Sequence, residues 1–141
     1  MQRITPLLKF VFNYDKYNCR IPIIPVRFIR SDNESTPIFH AVLDSGADTL
    51  TIPKDLAEWL GVKLQPKATP TVTASGSAKA YTGIAPLFIL GQGGREVKYQ
   101  DVEICAMENC PYILVGVSPV FEDYLITINA RERKFTLEPI K

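Results

Sequence analysis

The stretch that most constrains this chain is Ala41-Val42-Leu43-Asp44-Ser45-Gly46-Ala47-Asp48-Thr49. The apolar run from Ile38 to Leu43 predicts a buried strand, and it stops at an acid, a small hydroxyl residue and a glycine. A carboxylate at the end of a buried strand is costly unless it is hydrogen-bonded or has chemistry to do. Ser45 brings a hydroxyl that can brace the turn, and Gly46 allows a close backbone approach that a Cβ would block. These residues suit a tight loop that holds Asp44 at the floor of a cleft. Asp-Ser-Gly alone is a common turn tripeptide. Its context sets this copy apart: the strand before it, Ala47 and Asp48 after it, and a partner segment far downstream.

The rest of the chain is a series of short apolar runs broken by eleven prolines and eight glycines. Strands are expected over residues 7–14, 21–30 (near an edge or bend, because of Pro22 and Pro25), 38–43, 50–52, 84–90, 96–105, 111–116, 124–129 and 134–140. Residues 69–83 suit a long, bending hairpin. Pro53 to Gly61 predicts a helix, with Pro53 at its first position and Gly61 as its stop. Leu56, Trp59 and Leu60, at i, i+3 and i+4, form its core-facing stripe. Ser118 and Pro119 suit the start of a second, short helix. A length of 141 residues fits one domain, 1–141, with residues 1–20 as an N-terminal strand or extension. The expected class is all-β with one or two short helices.

A net charge of +1 gives no electrostatic case for nucleic acid or a membrane surface. Nothing in the sequence reaches the length of a transmembrane helix. The cysteines are Cys19, Cys105 and Cys110; an odd count without a recognisable signal peptide suits reduced thiols and a cytoplasmic location. With a single histidine, no zinc site assembles, and no metal or other cofactor is expected. Gly91-Gln92-Gly93-Gly94 lacks the spacing of a phosphate loop and reads as a turn.

Three segments, in order, resemble the retropepsin-like aspartic proteases, the family of retroviral proteases and their cellular relatives. The first is Ala41 to Asp48, similar to the family's hydrophobic-Asp-Ser/Thr-Gly-Ala signature. The second is the flap-like Thr73-Ala74-Ser75-Gly76-Ser77. The third is Ile113-Leu114-Val115-Gly116 followed by a short helix and Leu125 to Asn129, similar to the Ile-Leu-Gly segment that packs beneath the active-site loop. The likeness spans about residues 25–139. It implies a small closed β-barrel-like acid protease fold with one lobe per chain. Asp44 is then the catalytic residue, in an active-site loop with Ser45, Gly46, Ala47 and Asp48; residues 73–77 form a substrate-binding flap. Ile52, Ile84 and Ile113 are implied as subsite walls, and the N- and C-terminal strands as dimer contacts. The sequence departs from the family after Gly116. Val117 and Ser118 stand where an arginine and an acid or amide are usual, so Asp48 lacks the arginine that commonly pairs with it; Arg131, Arg133 or a second chain remain as substitutes.

Aspartic proteolysis uses two carboxylates that share a proton and activate a water by general acid–base catalysis. Asp15, Asp32, Asp48, Asp55, Asp101 and Asp123 are not followed by Ser/Thr-Gly, so the second acid is expected from a second copy. The function that follows is a homodimeric aspartic endopeptidase acting on peptide or protein substrates. One rival is a dimeric module that binds peptides in the same groove without cutting them, favoured by the departure after Gly116. Another is a serine hydrolase using Ser45 or Ser77 with His40; no Gly-x-Ser-x-Gly elbow supports it.

Overall fold

The computed structural model describes residues 2–65, 69–73 and 76–140. Eleven strands follow in chain order: β1 (Gln2–Arg3), β2 (Phe10–Asn13), β3 (Ile23–Ile29), β4 (Phe39–Leu43), β5 (Leu50–Pro53), β6 (Thr69–Thr73), β7 (Gly76–Gln92), β8 (Arg95–Met107), β9 (Leu114–Val115), β10 (Tyr124–Asn129) and β11 (Lys134–Pro139). One α-helix, α1 (Lys54–Leu60), sits between β5 and β6, and a kinked helical turn covers Val117–Phe121. The larger sheet runs β1-β8-β5-β9-β4-β3-β7-β6, and a second pairing of β7 with β8 closes six of these strands into a barrel. The expected all-β, closed-barrel class with short helices is the observed one. Among the described residues no helix is long and apolar enough to cross a membrane.

Alternation builds the barrel wall. In β3, Ile24, Val26 and Phe28 point inward and are almost fully buried. β3 is an interior strand of the barrel, so of the two expected placements, an edge or a bend, the edge is not the observed one. β4 flanks residues 23–26 and β7 flanks 26–29, so at Pro25 only one side carries a ladder. The β7–β8 hairpin turns through Gly93 and Gly94, both at positive φ, as a two-residue hairpin requires. Its ladder breaks where Pro86 faces Asp101, which lies in the left-handed region at φ 57° and bends the strand. At the root of the hairpin Gly83 passes close to the chain after α1. A Cβ there would stand 2.7 Å from Val62 Cγ1 and 2.8 Å from the Lys63 carbonyl oxygen. The Gln65 amide donates to the Thr82 carbonyl at 2.9 Å.

Helix α1 differs in detail from its expectation. Pro53 is the extended residue before the first turn, and Gly61 ends the helix at φ 81°. Ala57 and Leu60 are its buried residues. Trp59 is a correction: it is 45% exposed and not part of the core. In a seven-residue helix the buried stripe is narrow, and Trp59 falls beside it. The Arg30 guanidinium covers the indole 4.5 Å from the ring, and its Nε donates to the Trp59 carbonyl at 2.9 Å.

A second sheet, β10-β11-β2, is stitched from both ends of the chain. Phe10 and Phe12 of β2 and Phe135 of β11 stack at 5.0–5.3 Å between ring centres. The hydroxyls of Tyr14 and Tyr124 are buried here with no hydrogen-bond partner among the described residues. The amino-terminal segment continues along β8: the Ile4 amide donates to Lys98 O at 3.0 Å, and Thr5 Oγ1 accepts from the Lys98 amide at 2.8 Å.

Candidate active site

Asp44 ends β4, and three strands converge to place it. β9 lies parallel to β4, with Val42 opposite Leu114 and Leu43 opposite Val115, and Leu114 also faces Thr51 of β5. The Val42 amide donates to Ile113 O at 2.8 Å and the Asp44 amide to Val115 O at 2.9 Å. These bonds fix the backbone up to the acid itself. The chain then turns. The Ala47 amide donates to Asp44 O at 3.1 Å, and the Gly46 amide donates to Asp44 Oδ1 at 2.8 Å. The carboxylate is thus held by its own loop, half-exposed, while Ser45 and Gly46 lie open to solvent.

Gly116 locks this loop from below. A Cβ on it would stand 2.3 Å from Ala47 O and 2.4 Å from Thr49 O. Directly after it the Val117 amide donates to Ala47 O at 2.8 Å and the Ser118 amide to Asp48 O at 2.9 Å. Ser118, the expected helix cap, is extended at φ −100° and ψ 127°, as a residue leading into a helical turn is, and its amide serves the loop. Backbone amides therefore tie the 116–118 segment to the Asp48 region, where an arginine side chain was expected to be missing. Among the described residues Asp48 makes no ion pair, and Arg133 is taken by Asp15 at 3.6 Å. The Cys105 thiol is pushed up from its ordinary value by burial, and further by the nearby Cys110 and Asp48. All three cysteines are unpaired.

β6 and β7 form a hairpin from Thr69 opposite Ala80 to Thr73 opposite Gly76. Of the flap expectation, Thr73, Gly76 and Ser77 lie on this ladder; Ala74 and Ser75 fall outside the described residues. The three subsite expectations separate. Ile84 is 55% exposed. Ile52 is fully buried, which corrects its assignment as a groove wall: it has no surface with which to touch a ligand. Ile113 is 6% exposed, also turned into the core. In the 112–115 segment the neighbours face out instead, with Leu114 half-buried and Tyr112 58% exposed. Strand parity could have found them, but a continuous apolar run shows no alternation to read.

Elsewhere, His40 is exposed and packs its ring on Tyr17 at 4.5 Å. A polar hollow of about 380 Å³ beside Lys54, Glu108 and Cys110 and a smaller one of about 80 Å³ beside Arg27 and Gly93 both lie away from Asp44. Among the described residues no group of three His, Cys, Asp or Glu side chains could hold a metal ion.

Comparison with known proteins agrees with this geometry. The aspartyl protease family matches residues 25–118, the segment from β3 through Ser118. Among solved structures, a retropepsin-like aspartic protease from Rickettsia conorii superposes with a TM-score of 0.66 at 18% identity, covering 94% of this chain and 100% of that one. The EIAV protease complexed with the inhibitor HBY-793 superposes with a TM-score of 0.45 at 16% identity, covering 72% of this chain and 86% of that one. No curated protein sequence matches significantly. From the barrel, the loop it supports and the family match over most of its length, the chain has a retropepsin-like fold and belongs to the aspartyl protease family.

Proposed function

We propose that residues 1–141 form one retropepsin-like domain that acts as a homodimeric aspartic endopeptidase, with Asp44 of each copy as the catalytic residue. The observation that carries this reading is the Asp44 loop itself. An acid at the end of a buried strand has one oxygen fixed by the Gly46 amide at 2.8 Å, in a backbone held by Gly116. A rigid carboxylate that is still half-exposed is what general acid–base chemistry on a bound water needs.

In the dimer the two Asp44 carboxylates meet across a two-fold axis. Like charges about 3 Å apart cannot both ionise, so the pair keeps one proton. The ionised member takes a proton from water, and the neutral one donates a hydrogen bond to the scissile carbonyl. Water adds to the carbonyl carbon, the amide nitrogen takes up a proton, and the C–N bond breaks. The Ser45 hydroxyls brace the paired loops. The hairpin carrying Thr73 to Ser77 serves as the flap over an extended substrate, whose backbone pairs in the manner of an added strand. The substrate is a peptide or an unfolded protein segment; no nucleic acid, membrane, metal or other cofactor takes part. The unpaired cysteines support a cytoplasmic, reducing location.

One observation favours the non-cutting rival: Val117 and Ser118 bring no side-chain charge to Asp48. The backbone amides at 117 and 118 answer it by holding the same loop. A digest of an unstructured protein by wild type and Asp44→Asn, with and without pepstatin, separates the two. Cleavage lost in Asp44→Asn and blocked by pepstatin is the expected result; equal cleavage by both proteins would refute the assignment.

A further inference from the structure

Two segments leave the barrel side by side. β7 pairs with β6 up to Ala80 and with β8 from Ala80 on, so the hairpin read as the flap departs at residues 79–81. β8 ends at Met107, opposite Ala80, and the chain turns through Asn109, at φ 58°, into the segment where Tyr112 and Leu114 face out. Glu108 stands at this fork. Its amide donates to Lys79 O at 3.1 Å, one step past the last rung. Its Oε1 accepts from the Tyr81 hydroxyl at 3.3 Å and lies 3.7 Å from Nζ of Lys54, the first residue of α1. The Lys54 ammonium also sits 4.6 Å over the Tyr81 ring. One side chain thus joins the flap strand, the helix and the loop from β8 to β9.

That loop has open space on one flank. A hollow of about 380 Å³ lies between the start of α1 and residues 107–110, so no packed core backs the loop there. The Cys110 thiol donates to Tyr112 O at 3.0 Å, which stiffens the loop within itself. The contacts of Glu108 are what set it against β7. Each is long, and the Lys54 and Glu108 side chains are 30% and 40% exposed, so their contribution to global stability is small. They govern spacing more than folding. The other acid on Lys54, Glu58 at 3.6 Å, ties it only within α1.

We propose that Glu108 is a positioning residue for peptide cleavage: through Tyr81 on the flap strand and Lys54 on α1, it sets the gap between the flap and the wall that carries Tyr112 and Leu114. The proposal rests on the endopeptidase reading above and extends it from the Asp44 loop to substrate binding. A substrate strand in that gap pairs its backbone with the flap while its side chains meet the wall, and the width of the gap decides whether both are met at once. The Asp44 carboxylate is held independently, by the Gly46 amide and by β9. Loss of the Glu108 carboxylate therefore weakens substrate binding and spares the chemical step. Among the described residues the Tyr81 hydroxyl donates to Glu108 alone, so the two side chains act as one unit.

The test is steady-state cleavage of a peptide by the full chain, beside the Kd for pepstatin. Glu108→Ala is expected to raise KM and the pepstatin Kd about fivefold, the size of one or two modest hydrogen bonds, with kcat within about twofold and Tm nearly unchanged. Glu108→Gln keeps an acceptor for Tyr81 and is expected to recover most of the loss. Glu58→Gln is expected to match wild type. Tyr81→Phe is expected to raise KM alone and to add nothing in the Glu108→Ala background. A Glu108→Ala protein that loses kcat at unchanged KM, or effects at 81 and 108 that simply add, overturns the proposal. Should Glu108→Ala fail to fold, Tyr81→Phe decides: an unchanged KM and pepstatin Kd overturn it. A wild type that binds pepstatin but cuts nothing would sink the endopeptidase reading and leave this one to the Kd shifts. Asp44-dependent cleavage with KM unmoved in Glu108→Ala would do the reverse, and a wild type that neither cuts nor binds pepstatin sinks both.

Discussion

Gly116 and Ala47 meet so closely that the Val117 amide reaches the Ala47 carbonyl at 2.8 Å, and any side chain at 116 would collide with that oxygen. Gly116→Ala must therefore push the loop bearing Asp44 away from β9. Both obstructing atoms are backbone oxygens, so neither can rotate aside. A loss of about 3 kcal/mol is expected, the upper range for overpacking, together with loss of cleavage. Urea unfolding beside a peptide assay checks both.

Gly46 makes a gentler contact. Its missing Cβ would sit 3.1 Å from Asp44 Oδ1, near the atom its own amide holds. Gly46→Ala is expected to keep the fold within about 1 kcal/mol, as most loop substitutions do, while turning the carboxylate. The readout is kcat against thermal melting: activity should fall by at least tenfold with little change in Tm. A variant as active as wild type would show that the orientation of Asp44 is set elsewhere.

Burial, and next the Asp123 carboxylate, push the Tyr124 hydroxyl up to about 12 from an ordinary 10.0; the Leu8 backbone and Arg3 pull the other way. The hydroxyl lies beside Leu8 without closing a hydrogen bond. Tyr99, which donates to Asp123 at 2.9 Å, is raised further by burial and that bond. For a group raised in the folded state, the unfolded chain loses its proton first. Its contribution is complete below pH 10 and fades as pH rises through 12. Denaturant melts across this window should show falling stability. Tyr124→Phe should flatten the fall and cost nothing at neutral pH, since the buried hydroxyl has no partner.

Trp59 is the single tryptophan and is half in solvent under Arg30. Its fluorescence should be red-shifted and open to iodide quenching in the folded protein, and Trp59→Ala should cost no more than about 1 kcal/mol. A blue-shifted, unquenched emission would place the indole in the core.

What the sequence showed and what it hid follow from how locally each feature is encoded. The turn after Leu43, the Gly61 stop of the helix and the Gly93-Gly94 hairpin are written in a few adjacent residues, and each stands where expected. Trp59 was misplaced because a two-turn helix gives too few positions to fix its inward face. Ile52 was misplaced because Leu50, Thr51 and Ile52 are all buried between β8 and β9, so no alternation marked the side facing the loop. The pairing of β2 with β11 joins residues over a hundred positions apart and leaves no local trace. The lock on Asp48 went unseen because it uses amides, which every residue carries, where side chains alone were sought.

The grip on Gly83 has a mechanical consequence. β7 is laddered to β8 from Ala80 onward and gripped again at Gly83, so the stretch before Ala80 is a lever arm on an anchored root. Whatever presses on the tip is thereby transmitted as torque into the same strand that forms the barrel wall.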